Sequence, residues 1–194
     1  MPDLNATSIH AERRRTAEAR AAKVASLIRG EKRERWVVWC ETDYEADALM
    51  AAIPKAVEVR GSESPDAKEA KLVRFTEGRI RVLVTKPKLA GFGLNWQHVA
   101  RVAFVGATFS FEAYYQAIRR TWRFGQIRPV NVHVVMASTE RAVWEVLQRK
   151  TRDFESMKHQ MFLAARRARQ VHHERSDLYD AEKPMTLPRW LCPS

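Results

Sequence analysis

Hydrophobic positions between residues 31 and 136 concentrate in short runs, some with one or two polar residues among them: Trp36–Cys40, Ala56–Val59, Arg81–Thr85, Val99–Val105 and Val130–Met136. Runs of this kind, rich in Val and aromatics, predict strands buried on both faces. Between them lie segments with helical spacing: about Tyr44–Ala52, about Asp66–Phe75 after the turn Gly61-Ser62-Glu63-Ser64-Pro65, and a helix that starts near Phe111. Strand and helix alternating in this way predict an α/β fold, a parallel sheet flanked by helices.

The two ends read differently. Residues 7–28 are rich in Ala, Arg and Glu, with Ser8 placed to cap the start and Gly30 to stop the end, and they predict one helix. Its apolar stripe is thin, so the segment is expected to sit loosely on the body, with Arg13-Arg14-Arg15 as a solvated face. A last helix is predicted from near Thr139 through Arg175, and residues 176–194, which carry Pro184, Pro188, Pro193 and Trp190, are expected to lack regular structure. This divides the chain into a lead-in helix over 1–30, an α/β domain over 31–145, a basic helix over 146–175 and a tail over 176–194.

Composition adds one strong constraint. The 194 residues suffice for one well-buried domain with appendages and not for two full α/β domains. A net charge of +11 points to a polyanionic partner, nucleic acid before an anionic membrane surface. No apolar run approaches the ~20 residues that span a bilayer, and no secretory signal is legible at Met1-Pro2-Asp3-Leu4-Asn5, so the default location is cytosolic. Cys40 and Cys192 form no Cys-x-x-Cys pair, and Cys40 is expected to act as a small core residue. His172 and His173 are adjacent and face different sides of a helix, so no metal site is expected; His98 and His133 read as core-edge residues. Trp36, Trp39 and Trp96 are expected to anchor the sheet rather than stack on bases.

Two blocks carry chemistry. In Gln116-Ala117-Ile118-Arg119-Arg120-Thr121-Trp122-Arg123-Phe124-Gly125-Gln126, helical spacing would place Gln116, Arg120 and Arg123 on one polar stripe, with Tyr115, Ile118 and Trp122 behind them. Two guanidinium groups on one face suit a phosphate, because the planar fork stays charged and can stabilise developing negative charge. Upstream, the strand Val82-Leu83-Val84-Thr85 runs through Lys86-Pro87-Lys88 into Leu89-Ala90-Gly91-Phe92-Gly93-Leu94-Asn95.

Together these blocks resemble motifs V and VI of superfamily-two, DEAD/DEAH-box-type helicases, most closely the Swi/Snf-like branch and its bacteriophage members. Motif VI of that branch, Gln-Ala-x-x-Arg-x-x-Arg-x-Gly-Gln, is matched at every fixed position by Gln116, Ala117, Arg120, Arg123, Gly125 and Gln126; motif V keeps its Gly-x-Gly-Leu-Asn core and replaces the preceding Ala-Gly with Leu-Ala. The resemblance covers roughly residues 31 to 160. It implies a RecA-like domain, the second of the two in a P-loop nucleoside-triphosphatase motor, with residues 1–30 as the lead-in from the first. It implies that Arg120 and Arg123 are catalytic arginine fingers, and that Gly91, Gly93, Asn95 and Gln116 lie against the nucleotide. It also implies that Thr42, Gly61, Ser62, Thr85 and Lys86 touch the backbone of duplex DNA without reading sequence. Each of these five is, on its own residues, as readily an ordinary loop residue.

Half of such a site is missing from the sequence. No glycine is followed by lysine, so there is no Walker A loop, and no Asp is followed by Glu, so there is no acidic pair for magnesium. A Rossmann fingerprint is not completed either, since Trp96 stands at the third glycine position. ATP and magnesium are therefore expected to be held mainly by a Walker A-bearing first domain outside this chain, which binds no metal and hydrolyses no ATP by itself. Two readings stay open: the C-terminal motor domain of an ATP-dependent DNA helicase or translocase, and a non-enzymatic nucleic-acid-binding protein derived from such a domain.

Overall fold

The computed structural model describes residues 6–89, 94–106 and 110–175. Five parallel strands form one sheet in the order β2-β3-β1-β4-β5. They are β1 (Trp36–Trp39), β2 (Val57–Val59), β3 (Val82–Thr85), β4 (Arg101–Val105) and β5 (Asn131–Val135). Trp36 is level with Val82 on one side and Arg101 on the other, and Arg101 with Asn131. The helices are α1 (Ala6–Arg15), α2 (Ala17–Gly30), α3 (Asp43–Ala52), α4 (Pro65–Thr76), α5 (Phe111–Arg119) and α6 (Arg141–Arg175). The expected parallel α/β sheet is present, with each strand within two residues of its sequence run.

Burial on both faces explains why the central strands β1, β3 and β4 read as largely apolar runs. On one face Trp36, Val38, Val84 and Val105 pack with Val24, Ile28 and Leu49 of α2 and α3. On the other, Val37, Trp39, Leu83 and Phe104 pack with Phe75, Trp96, Ala117 and Ile118, which brings in α4 and α5. Trp36, Trp39 and Trp96 are buried in the core as expected. Trp39 stacks on Trp96 with centroids 5.8 Å apart, and Phe75 meets Trp96 edge-on at 5.0 Å. His133 lies against Trp36 and His98 against Phe75. Burial pushes the Cys40 thiol up to about 12, which suits an inert core residue.

Local chemistry sets the helix starts. Ser64 accepts from the Ala67 N–H, followed by Pro65 at the first helical position; Ser110 accepts from Ala113 N–H at 3.1 Å. Glu45 reaches back to the Thr42 N–H at 3.1 Å.

The N-terminal segment departs from expectation twice. The single helix over 7–28 is two helices, broken at Thr16, whose hydroxyl donates back to the Glu12 carbonyl at 2.8 Å. Nor is it loose or wholly solvated. Ala21, Val24, Ala25 and Ile28 are fully in the core, and Arg13 is buried with its guanidinium 3.2 Å from Glu41, 3.6 Å from Glu45 and 3.1 Å from Glu140. Arg20 joins the cluster through Glu45 at 2.8 Å. Gly106, at φ +92°, completes it, because a Cβ there would come within 2.5 Å of Arg13. Desolvation pulls the Arg13 pKa down, and Glu45, Glu41 and Glu140 together outweigh it, leaving the group above its ordinary value. Arg14, 5.4 Å from the Tyr44 ring, and Arg15, paired with Glu12, are both exposed as expected.

The chain divides into two compact units, residues 1–151 and 152–194, so the lead-in belongs with the α/β body. No described helix is long and apolar enough to cross a membrane. The tail 176–194 with Trp190, the side chains of His172 and His173, and the loop with Gly91 and Gly93 lie outside the described residues.

Candidate nucleotide and nucleic-acid interface

A parallel sheet gathers the C-terminal ends of its strands along one edge. Thr42 follows β1, Gly61 and Ser62 follow β2, and Thr85 and Lys86 end β3, so the neighbouring order β2-β3-β1 brings these five candidates to the same edge. They do not present equally. Gly61 and Ser62 are exposed, and Lys68 donates to the Gly61 carbonyl at 2.7 Å. The Thr85 side chain is buried and donates to Val59 O at 3.3 Å, and the Thr42 hydroxyl is buried too, so neither hydroxyl is offered to solvent in this conformation. Lys86 pairs with Asp43 at 2.7 Å. Its hydrogen bond and charge hold the Asp43 carboxyl below its ordinary value.

The end of the arginine-bearing segment, Gln126 to Arg128, lies at the opposite edge, where strands begin. Gln126 donates its side-chain amide to Gln97 O at 2.8 Å and Val99 O at 3.2 Å, just ahead of β4. Arg128 pairs with Glu34, just ahead of β1.

The helix here is shorter than expected. α5 ends at Arg119, and Arg120 is its C-cap. The shared polar stripe of Gln116, Arg120 and Arg123 is therefore not formed: Gln116 and Arg120 stay one turn apart, while Arg123 sits in the turn beyond. The cause is tertiary. The Arg120 carbonyl, which a longer helix would have used internally, accepts the Trp96 N–H at 2.8 Å, and the Thr121 hydroxyl takes the Ile118 carbonyl at 2.9 Å. Trp122 is not the expected buried brace. It is 47% exposed, and Arg119 lies over its ring at 5.6 Å.

The backbone bond from Trp96 to Arg120 ties the segment that follows exposed Asn95 to the arginine-bearing segment. Arg120 is half-buried, 5.9 Å from the Trp39 ring, and desolvation lowers its pKa, although a guanidinium remains charged at any working pH. Arg123 is exposed. Around it the turn is fixed: the Gln97 side chain donates to Phe124 O, Gln126 also reaches Thr121 O at 3.3 Å, and its oxygen accepts Arg128 N–H at 2.9 Å. Gly125, at φ +92°, lies against Gln97, where a Cβ would come within 2.9 Å. Gln97 carried no signal in the sequence; its part is set by this long-range contact.

Gln126→Ala is expected to leave the fold intact, to cost about 1–3 kcal/mol through the carbonyls and amide left without that partner, and to loosen the turn that holds Arg123. Hydrogen exchange at residues 121–128 measures it, and protection equal to wild type would count against the role.

The chain belongs to the family described as the helicase conserved C-terminal domain, whose model matches residues 19–125. It is 33% identical over 95 residues, 48% of this chain and 8% of the relative, to the bifunctional helicase and thymine dioxygenase JBP2 of Leishmania braziliensis. It is 35% identical over 106 residues, 53% of this chain and 9% of the relative, to the DNA repair protein RAD5 of Gibberella zeae. The chain thus spans less than a tenth of these curated relatives. Among solved structures, it resembles the C-terminal part of the Fun30 ATPase domain (TM-score 0.57, 20% identity, 64% of this chain and 44% of that one). It also resembles the C-terminal domain of the DEAD-box protein Dbp5 (TM-score 0.57, 20% identity, 69% of this chain and 79% of that one). These likenesses establish the RecA-like helicase C-terminal fold.

Proposed function

We propose that this domain supplies one half of a composite ATP site in a DNA translocase of the Swi/Snf-like branch, with Arg120 and Arg123 as the fingers and the opposite edge of the sheet as the DNA-facing surface. The observation that carries the reading is the separation of the two groups: a rigidly hydrogen-bonded arginine turn at the start of β4 and β5, and Gly61, Ser62 and Lys86 at the ends of β2 and β3. Arg123, Arg120, Gln116 and Asn95 are donors suited to a triphosphate, and the set contains no carboxylate for magnesium. ATP and magnesium would be held mainly by a Walker A-bearing first domain; the nucleotide supplies the bond whose cleavage drives movement. This chain's residues position guanidinium charge and grip phosphates.

The isolated chain should bind duplex DNA weakly, at about 10⁻⁴ to 10⁻⁶ M near physiological salt, with affinity falling steeply as salt rises. Asp43→Asn, which releases Lys86, should tighten binding a few-fold and steepen the salt slope by about one phosphate contact. Titration of labelled DNA at several salt concentrations measures both, and an affinity indifferent to salt would remove the electrostatic basis. DNA binding without ATP turnover, once a first domain is supplied, would favour the non-enzymatic reading.

A further inference from the structure

The second unit contains an apolar face that the ATP and DNA sites do not use. Along α6 the residues Phe154, Met157, Met161, Ala164 and Ala168 follow one another at alternating spacings of three and four. Alternation of three and four is the a/d pattern of a coiled coil, which keeps one narrow seam in line along the helix. Met157 is 49% and Met161 63% exposed, and Ala164 and Ala168 are exposed as well. Thioethers left in water on a long helix gain from being covered, because a helix draws most of its stability from packing its apolar face.

The charges beside the seam indicate what covers it. With Phe154 and Met161 at a, Asp153 falls at g and Lys158 at e of the next heptad. In a parallel, in-register pair of identical helices, each g residue faces the partner's following e residue, so Asp153 would meet Lys158 of the other copy twice. Lys158 bonds Glu155 on its own helix at 3.1 Å, an exposed pair of little worth that can exchange. Arg152 and Arg166 fall at f and Arg169 at b, away from the seam, while Arg167 at g is the one described arginine of the distal helix that flanks it.

We propose that the distal part of α6 is a homodimerisation helix, pairing in parallel with α6 of a second copy of this chain through Phe154, Met157, Met161, Ala164 and Ala168. Sedimentation of the full chain over about 1–100 µM, a range that brackets weak association, should show the mass rising from the 22.4 kDa monomer toward twice that value. Met157→Glu with Met161→Glu should hold the chain at monomer mass while circular dichroism keeps its helix content. Phe162→Ala, at position b outside the seam, should leave the dimer intact. Asp153→Lys alone should weaken association, and Asp153→Lys with Lys158→Glu should restore it. Monomer mass throughout, a dimer indifferent to the Met157 and Met161 substitutions, or a charge exchange that fails to restore pairing would overturn the proposal; the first of these would leave the face to another occupant.

Discussion

With a Walker A-bearing first domain and saturating DNA supplied, Arg123→Ala should lower ATP turnover by about 10³–10⁵, the range that a supplied arginine finger contributes to phosphoryl transfer. Arg123 is exposed on a turn pinned by Gln126 and Gln97, so its removal deletes an exposed charge without disturbing packing. The loss should appear in kcat with KM for ATP nearly unchanged, because an arginine finger acts on charge that develops in the transition state. Arg120→Ala should be as damaging for two reasons, since the side chain also covers Trp39. Arg120→Lys separates them: it keeps a cation and much of the stem, yet loses the planar fork. Arg119→Ala is the control. Arg119 is exposed and lies over Trp122, and its loss should change turnover no more than a few-fold. Steady-state ATPase assays decide the matter. Equal damage from Arg119→Ala, or hydrolysis by the unpartnered chain, would refute the finger assignment.

Arg13→Ala should destabilise the fold by about 3–5 kcal/mol, the usual consequence of removing one member of a buried charge cluster. Glu45 and Glu140 are buried around this guanidinium, and Arg20 would remain bonded to Glu45. The penalty comes from stranding carboxylates in a place that water does not reach. Arg15→Ala, two residues on, breaks only an exposed pair with Glu12 and should stay within about 0.5 kcal/mol of wild type. Denaturant unfolding of the two variants gives the comparison directly. Similar midpoints for both would mean that α1 is not fastened to the sheet by this cluster.

Much of this protein is legible in its sequence because the relevant physics is local. Unbroken runs such as Val82–Thr85 mark strands covered on both faces, and Ser64-Pro65 and Ser110 mark helix starts through bonds that span three residues. The two chemistry-bearing blocks, and the fact that no glycine is followed by lysine, are likewise visible without coordinates. Tertiary structure decided the rest. Arg13, Arg14 and Arg15 look alike in sequence, and only the arrival of Glu41, Glu45 and Glu140 from distant segments makes Arg13 a buried centre while Arg15 stays in solvent. Helical spacing predicts that Arg120 and Arg123 share a face, and it fails because the Trp96 N–H takes the Arg120 carbonyl and ends α5. A pattern of periods three and four reports what a segment does when its own hydrogen bonds are uncontested; at Arg120 a bond from another part of the chain wins, and that competition is settled only when the fold brings the two together.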